Sequence, residues 1–172
     1  MTGSADILLM AGILVVYYSF EGNTRSIAEA IATAAGADLL ELRPERDVGT
    51  HGFLKYPWGG RQVVMKSAPT LRPLEKDPGD YRLLFIGTPV WAFSYTPALN
   101  TFFTTVPLQG KKVALFCTHG GGPKNTLKKM RDRLAGNEVL GEIDFIEPLN
   151  HPEQKGAERA AAWAREIVAK AG

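Results

Sequence analysis

The run GILVVYY, residues 12–18, carries no charged side chain, so neither of its faces is suited to water. A strand buried on both faces belongs in the middle of a parallel sheet with helices packed above and below. The residues that follow fit that setting. Thr24 to Ala35 reads as a helix with Ile27, Ala28, Ile31, Ala34 and Ala35 on one stripe, and Gly36 can end it. Further strands are expected at ADLLELR (37–43), RLLFIG (82–87), KKVALFCT (111–118) and EVLGEIDFIEP (138–148), the last with a break at Gly141. Between them, Thr96 caps a helix that has Pro97 at its first position and Leu99, Phe102, Phe103 and Val106 inward. PKNTLKKMRDRL (123–134) buries Leu127, Met130 and Leu134. The last helix, Pro152 to Ala171, buries Ala160, Trp163, Ala164, Ile167, Val168 and Ala171.

Strands alternating with helices specify an α/β three-layer sandwich, a parallel sheet with helices on both faces. With right-handed crossovers, five strands fit the order 2-1-3-4-5. Ligands of such sheets lie beyond the carboxyl ends of the strands, at the switch between strands 1 and 3. That directs attention to the loops after residues 18, 87 and 118.

At 172 residues the chain is read as one domain, over 10–172. Residues 1–9 read as an N-terminal extension, since Met10 would be a natural start. The apolar stretch near the N-terminus lacks the basic flank and cleavage site of a signal peptide and is too short to span a membrane. Residues 44–80, with five Pro, are expected to be mostly loop, with a short helix around Gly60 to Lys66. A net charge of +2 is too weak to argue for nucleic acid, and no binding motif for it accompanies that charge. The single cysteine excludes an internal disulfide framework and a Cys-rich zinc site; no metal site is expected, and a reducing cytoplasm fits.

Each of the three loops offers something different. In the first, SFEGNT, Ser19, Asn23 and Thr24 can donate to phosphate oxygens. Gly22 permits close backbone approach, and the free N–H groups opening the helix add positive potential. A tight turn with an Asn23 or Thr24 cap would explain the same residues with nothing bound. In the second, GTPVWAFSYTP, Val90, Trp91, Phe93 and Tyr95 crowd one strand end without a charge among them. They would form either a hydrophobic plug or a wall on which a planar ring stacks. In the third, CTHGGGPKN, three successive Gly let backbone amides face a ligand edge. His119 there is a weak candidate for a proton donor, and otherwise a solvated turn residue. Phosphate site, aromatic wall and Gly-rich edge together describe a mononucleotide with a large flat ring.

YYSFEGNTRSIAEAIA resembles the flavodoxin phosphate-loop signature, approximately [TS]-x-x-G-N-T before a helix. FIGTPVWAFSYTPALNTFF and LFCTHGGGPKNTL resemble the second and third FMN loops of the flavodoxin-like superfamily, in the same order. The resemblance covers nearly the whole chain and implies a flavodoxin-like fold holding FMN. It places Ser19, Phe20, Glu21, Gly22, Asn23 and Thr24 at the phosphate. Thr88, Pro89, Val90, Trp91, Ala92 and Phe93 flank the ring, and Thr118, His119, Gly120, Gly121 and Gly122 line its far edge. Glu21 is unexpected beside a phosphate dianion, so its side chain is expected to point to solvent.

Other proteins of similar architecture lack support. A receiver domain needs an acidic pocket after strand 1, an Asp ending strand 3 and a Lys ending strand 5, where this chain has Tyr18-Ser19, Gly87-Thr88 and Pro148-Leu149. A cysteine phosphatase needs C-x5-R, whereas six positions after Cys117 stands Pro123. Cys117 is read as a buried strand residue. The G-x-G-x-x-G of a dinucleotide site is missing.

The resemblance implies an electron-transfer protein working with a redox partner protein. The alternative is an FMN-dependent oxidoreductase taking hydride from NAD(P)H and passing it to a small-molecule acceptor such as a quinone. A non-redox FMN-dependent scaffold or sensor is a third possibility. Two departures from the flavodoxin pattern bear on the choice. Flavodoxins are usually acidic around the ring, but here Lys124, Lys128, Lys129, Arg131 and Arg133 outnumber Asp132. Many also have a Gly in the second loop whose peptide flips on one-electron reduction, and this chain has none between Thr88 and Tyr95.

Overall fold

A computed structural model of the protein describes residues 12–46 and 68–172. The N-terminal extension and the short helix expected around Gly60 to Lys66 lie outside the described residues.

The sheet is parallel and five-stranded, with β1 (Gly12–Tyr17), β2 (Asp38–Glu41), β3 (Tyr81–Pro89), β4 (Lys112–His119) and β5 (Glu138–Ile146) in the order β2-β1-β3-β4-β5. Side chains alternate across it, as the two-residue period of a strand requires. Ile13, Val15, Tyr17, Leu83, Phe85, Ala114, Phe116 and Phe145 face one core with α1 (Asn23–Ala35) and α4 (Gly156–Ala171). Leu14, Val16, Leu84, Ile86, Val113 and Leu115 face the other with α2 (Pro97–Thr105) and α3 (Thr126–Arg133). Leu14, Val15, Val16, Phe85 and Ile86 are completely buried, as the uncharged runs require.

Several boundaries differ from those expected of the sequence, each for a local reason. β2 is an edge strand of four residues; beyond it Arg43 and Glu45 turn to bond Arg72 and Thr70, and Pro44 bridges Leu71 antiparallel. β5 is not broken at Gly141: a bulge shifts the register so that Val113 opposes Val139 and Ala114 opposes Gly141. Gly141 is a position of close packing, since a Cβ there would stand 2.7 Å from the Ile167 side chain. α3 starts at Thr126 rather than Pro123, because Lys124 has a left-handed φ of 50°. α4 starts at Gly156, because Lys155 (φ 51°) separates it from a 3-10 turn at Pro152–Gln154. Thr96 stands at the N-cap of α2 but makes no side-chain cap bond; its N–H donates to Thr88 Oγ1 at 3.2 Å. At the end of α1, Gly36 (φ 61°) closes the helix with its N–H on Ala32 O, as its sequence position suggests.

Candidate functional site

The carboxyl ends of β1, β3 and β4 and the N-terminus of α1 surround a cavity of about 240 Å³. Ser19, Phe20, Glu21, Asn23 and Thr24 line it from the first loop, Pro89, Val90 and Trp91 from the second, and Thr118, His119 and Gly120 from the third. The loop after β5 adds Glu147. All three loops singled out in the sequence therefore meet at one cavity, at the point where the strand order reverses.

Its polar end is built on α1. The N-cap is Gly22 at φ 96°, which has no side chain with which to cap, so neither Asn23 nor Thr24 is the cap residue. The N–H groups of Asn23 and Thr24 thus have no acceptor within the helix. Ser19 Oγ accepts from Arg25 N at 3.1 Å, leaving its own proton for another acceptor. Thr24 Oγ1 lies 2.8 Å from Thr118 Oγ1, and both residues are buried. Two hydroxyls carry two protons and the contact uses one, so the pair retains one to donate. Asn23 Oδ1 accepts from Leu149 N at 3.0 Å, tying the loop after β5 to the first loop.

Arg25 is the cation nearest in sequence, but its guanidinium is bound to Glu41, whose carboxylate raises the arginine pKa further. An anion at this end would rely on N–H groups, hydroxyls and the positive end of the helix, whose first turn holds no acidic residue. Glu21 is exposed at the rim.

The wall is held by aromatic edges. Trp91 packs edge-on against Tyr18 at 5.7 Å and Phe20 at 5.6 Å between ring centroids. Trp91 and Ser94 exchange backbone hydrogen bonds of 2.9 Å in both directions. Between them Ala92 (φ 45°) and Phe93 (φ 65°) form a turn of the primed type. This turn carries Ala92 and Phe93 away from the cavity lining, and Phe93 is 63% exposed. Thr88 is also off the lining: fully buried, it donates to Pro89 O at 2.9 Å and accepts from Thr96 N.

The third loop is set by His119. Gly122 N donates to Nδ1 at 2.9 Å, so Nε2 carries the proton and faces Asp144 Oδ2 at 2.8 Å. With both nitrogens engaged and the residue buried, the ring positions the Gly-rich loop, and moving a proton through it requires breaking one of these bonds. Gly120 reaches the lining, but Gly121 and Gly122 do not. A Cβ at Gly120 would stand 2.7 Å from Glu147 Oε1, so a larger residue there would displace the Glu147 carboxylate.

Glu147 and the Leu149 amide were not among the expected site residues. The usable signal was topological, because β5 ends at the same edge as β4; Glu147 N donates to His119 O at 2.9 Å. Cys117 lies just behind, fully buried, and burial reinforced by Asp144 and Glu142 pushes its thiol pKa well up. The folded protein is expected to give no reaction with a thiol reagent at pH 8, and one thiol per chain in denaturant. Prompt labelling of the folded protein would contradict this packing.

The sequence profile of the flavodoxin family matches residues 12–142. The chain belongs to the flavodoxin family. Among solved structures, it is similar to a protein of Bacteroides uniformis ATCC 8492 assigned to the flavoproteins, with 23% identity, a TM-score of 0.77 and coverage of 91% of this chain and 99% of the other. A counterpart from Bacteroides eggerthii DSM 20697, likewise assigned, has 25% identity, a TM-score of 0.74 and coverage of 91% and 98%. A flavoprotein of Lactobacillus acidophilus NCFM, solved in complex with FMN, has 21% identity, a TM-score of 0.66 and coverage of 84% and 97%. Among the described residues of this flavodoxin-family chain, no helix is long and apolar enough to cross a membrane.

Proposed function

We propose that the cavity binds FMN and that the protein carries electrons through it. The observation that carries this reading is the Thr24–Thr118 hydroxyl pair beside the open N-terminus of α1, which gives a phosphate-sized anion several hydroxyl and N–H donors. Trp91, braced by Tyr18 and Phe20, supplies the wall for a flat ring. The family supports this reading, as does the FMN bound by a protein of the same fold. FMN supplies the redox chemistry; the chain holds it, orients it and tunes it.

A second reading, a two-electron oxidoreductase using NAD(P)H and a quinone-type acceptor, is favoured by one feature of the second loop. The Pro89–Val90 peptide is pinned at both ends: Pro89 O accepts from Thr88 Oγ1 and Val90 N donates to Thr118 O, each at 2.9 Å. Reversing that peptide to offer its carbonyl to a half-reduced ring would lose both bonds, on the order of 1 kcal/mol each. A ring without that support is expected to accept its two electrons at similar potentials. Titrating the FMN-loaded protein with dithionite should pass from oxidised to fully reduced spectra with little long-wavelength absorbance at the midpoint; a strong band there would contradict the pinned loop.

Stopped-flow mixing with NADH or NADPH, followed by a quinone, separates the two readings. A carrier takes up and hands on electrons stoichiometrically with protein partners and shows no sustained NAD(P)H consumption, whereas an oxidoreductase turns over. A chain that takes up no FMN overturns both.

A further inference from the structure

We infer that the turn at Phe93 and the adjoining face of α3 form a docking surface for an acidic electron-transfer protein. This rests on the reading of the cavity as an FMN site. Phe93 is a bulky residue in a left-handed conformation (φ 65°), which side chains with a Cβ adopt at a cost, and it is 63% exposed to water. The fold therefore accepts strain to present an aromatic ring to solvent, and such strain concentrates where a protein meets something else. The turn begins at Trp91, on the cavity lining, so Phe93 stands two residues along the chain from the cavity wall.

The segment beside it is mostly cationic. Between Lys124 and Arg133 the chain has five cations and one carboxylate, all exposed. Lys128 is paired with Asp132 and Arg131 with Glu142. Lys124 and Lys129 form no ion pair among the described residues, and Lys129 reaches Phe93 O at 3.4 Å, which joins the helix to the turn. An exposed aromatic anchor with the unpaired Lys129 on its carbonyl, and the unpaired Lys124 on the same segment of chain as Lys129, fits a partner whose surface is acidic around an apolar centre. A whole-chain charge of +2 leaves this face as a local feature, which argues for a bounded protein contact rather than a polyanion.

The test mixes the FMN-loaded protein anaerobically with reduced acidic plant-type ferredoxin as the probe. One electron leaves the iron–sulfur cluster and one enters the flavin, and the second-order rate is followed as KCl is raised. The rate should fall about tenfold or more from low to high salt. Lys124→Gln with Lys129→Gln should cut the low-salt rate about tenfold and flatten the salt dependence. Phe93→Asn, which tolerates the left-handed backbone and so preserves the fold, should slow transfer at every salt concentration. FMN affinity should be unchanged in both variants. A rate that ignores salt, variants that match the parent, no transfer at all to loaded protein, or salt-dependent reduction by NADPH alone would each overturn the docking surface. Failure to load FMN would overturn the cavity reading, and this inference with it.

Discussion

Replacing Gly87 by Ala is expected to destabilise the protein by about 1–3 kcal/mol or more, the cost of overfilling a packed core. For a domain of this size that is roughly 2–12 °C in melting temperature. The cause is local. Gly87 and Phe116 are register partners on β3 and β4, and a Cβ on Gly87 would stand 2.0 Å from Phe116 Cζ and 2.2 Å from Cε2. Phe116 is fully buried between the sheet and the helices and has nowhere to go. Thermal melts of Gly87→Ala, Phe116→Leu and the double variant test this. The double variant should lose less than the sum of the singles, because shortening Phe116 makes room for the methyl group. A Gly87→Ala protein that melts like the parent would refute the close approach.

Replacing Thr24 by Val, which keeps the shape and removes the hydroxyl, is expected to weaken FMN by about 1–3 kcal/mol, some 5- to 150-fold. The change removes a donor at the proposed phosphate end and leaves Thr118 Oγ1 without its 2.8 Å partner. The same change should lower stability in the absence of FMN, because a buried hydroxyl loses its bond. Thr24→Ser separates the two roles of hydroxyl and methyl: it restores the donor, and affinity should return with it. Equal FMN affinity in Thr24→Val and the parent would remove Thr24 from the site.

Much of this molecule was legible in its sequence, for reasons that particular residues make clear. The uncharged run of β1 was legible as a central strand, and Gly36 was legible as the end of α1, where the structure gives it a φ of 61°. The rule for ligands at the strand switch then led to the loops that line the cavity. What escaped was structure that residue type does not encode. Ala92, Phe93, Lys124, Glu147 and Lys155 all have positive φ without being Gly, so the turns they form carry no sequence signature. Of these, Glu147 lines the cavity, and its N–H bond to His119 O offsets the local strain there. The bond from Leu149 N to Asn23, across 126 positions of chain, is equally invisible to local patterns.

The account stands on the N-terminus of α1 being a phosphate site, and the most direct measurement compares two ligands that differ only in that phosphate. Titrating the ligand-free protein with FMN and with riboflavin, followed by quenching of flavin fluorescence, should show FMN binding ~100-fold more tightly, the worth of a few charge-assisted hydrogen bonds at a helix N-terminus. Ser19→Ala and Thr24→Val should narrow that ratio while leaving riboflavin affinity nearly unchanged. Riboflavin binding as tightly as FMN would contradict the assignment of Ser19, Asn23 and Thr24 and, with it, the reading of the cavity.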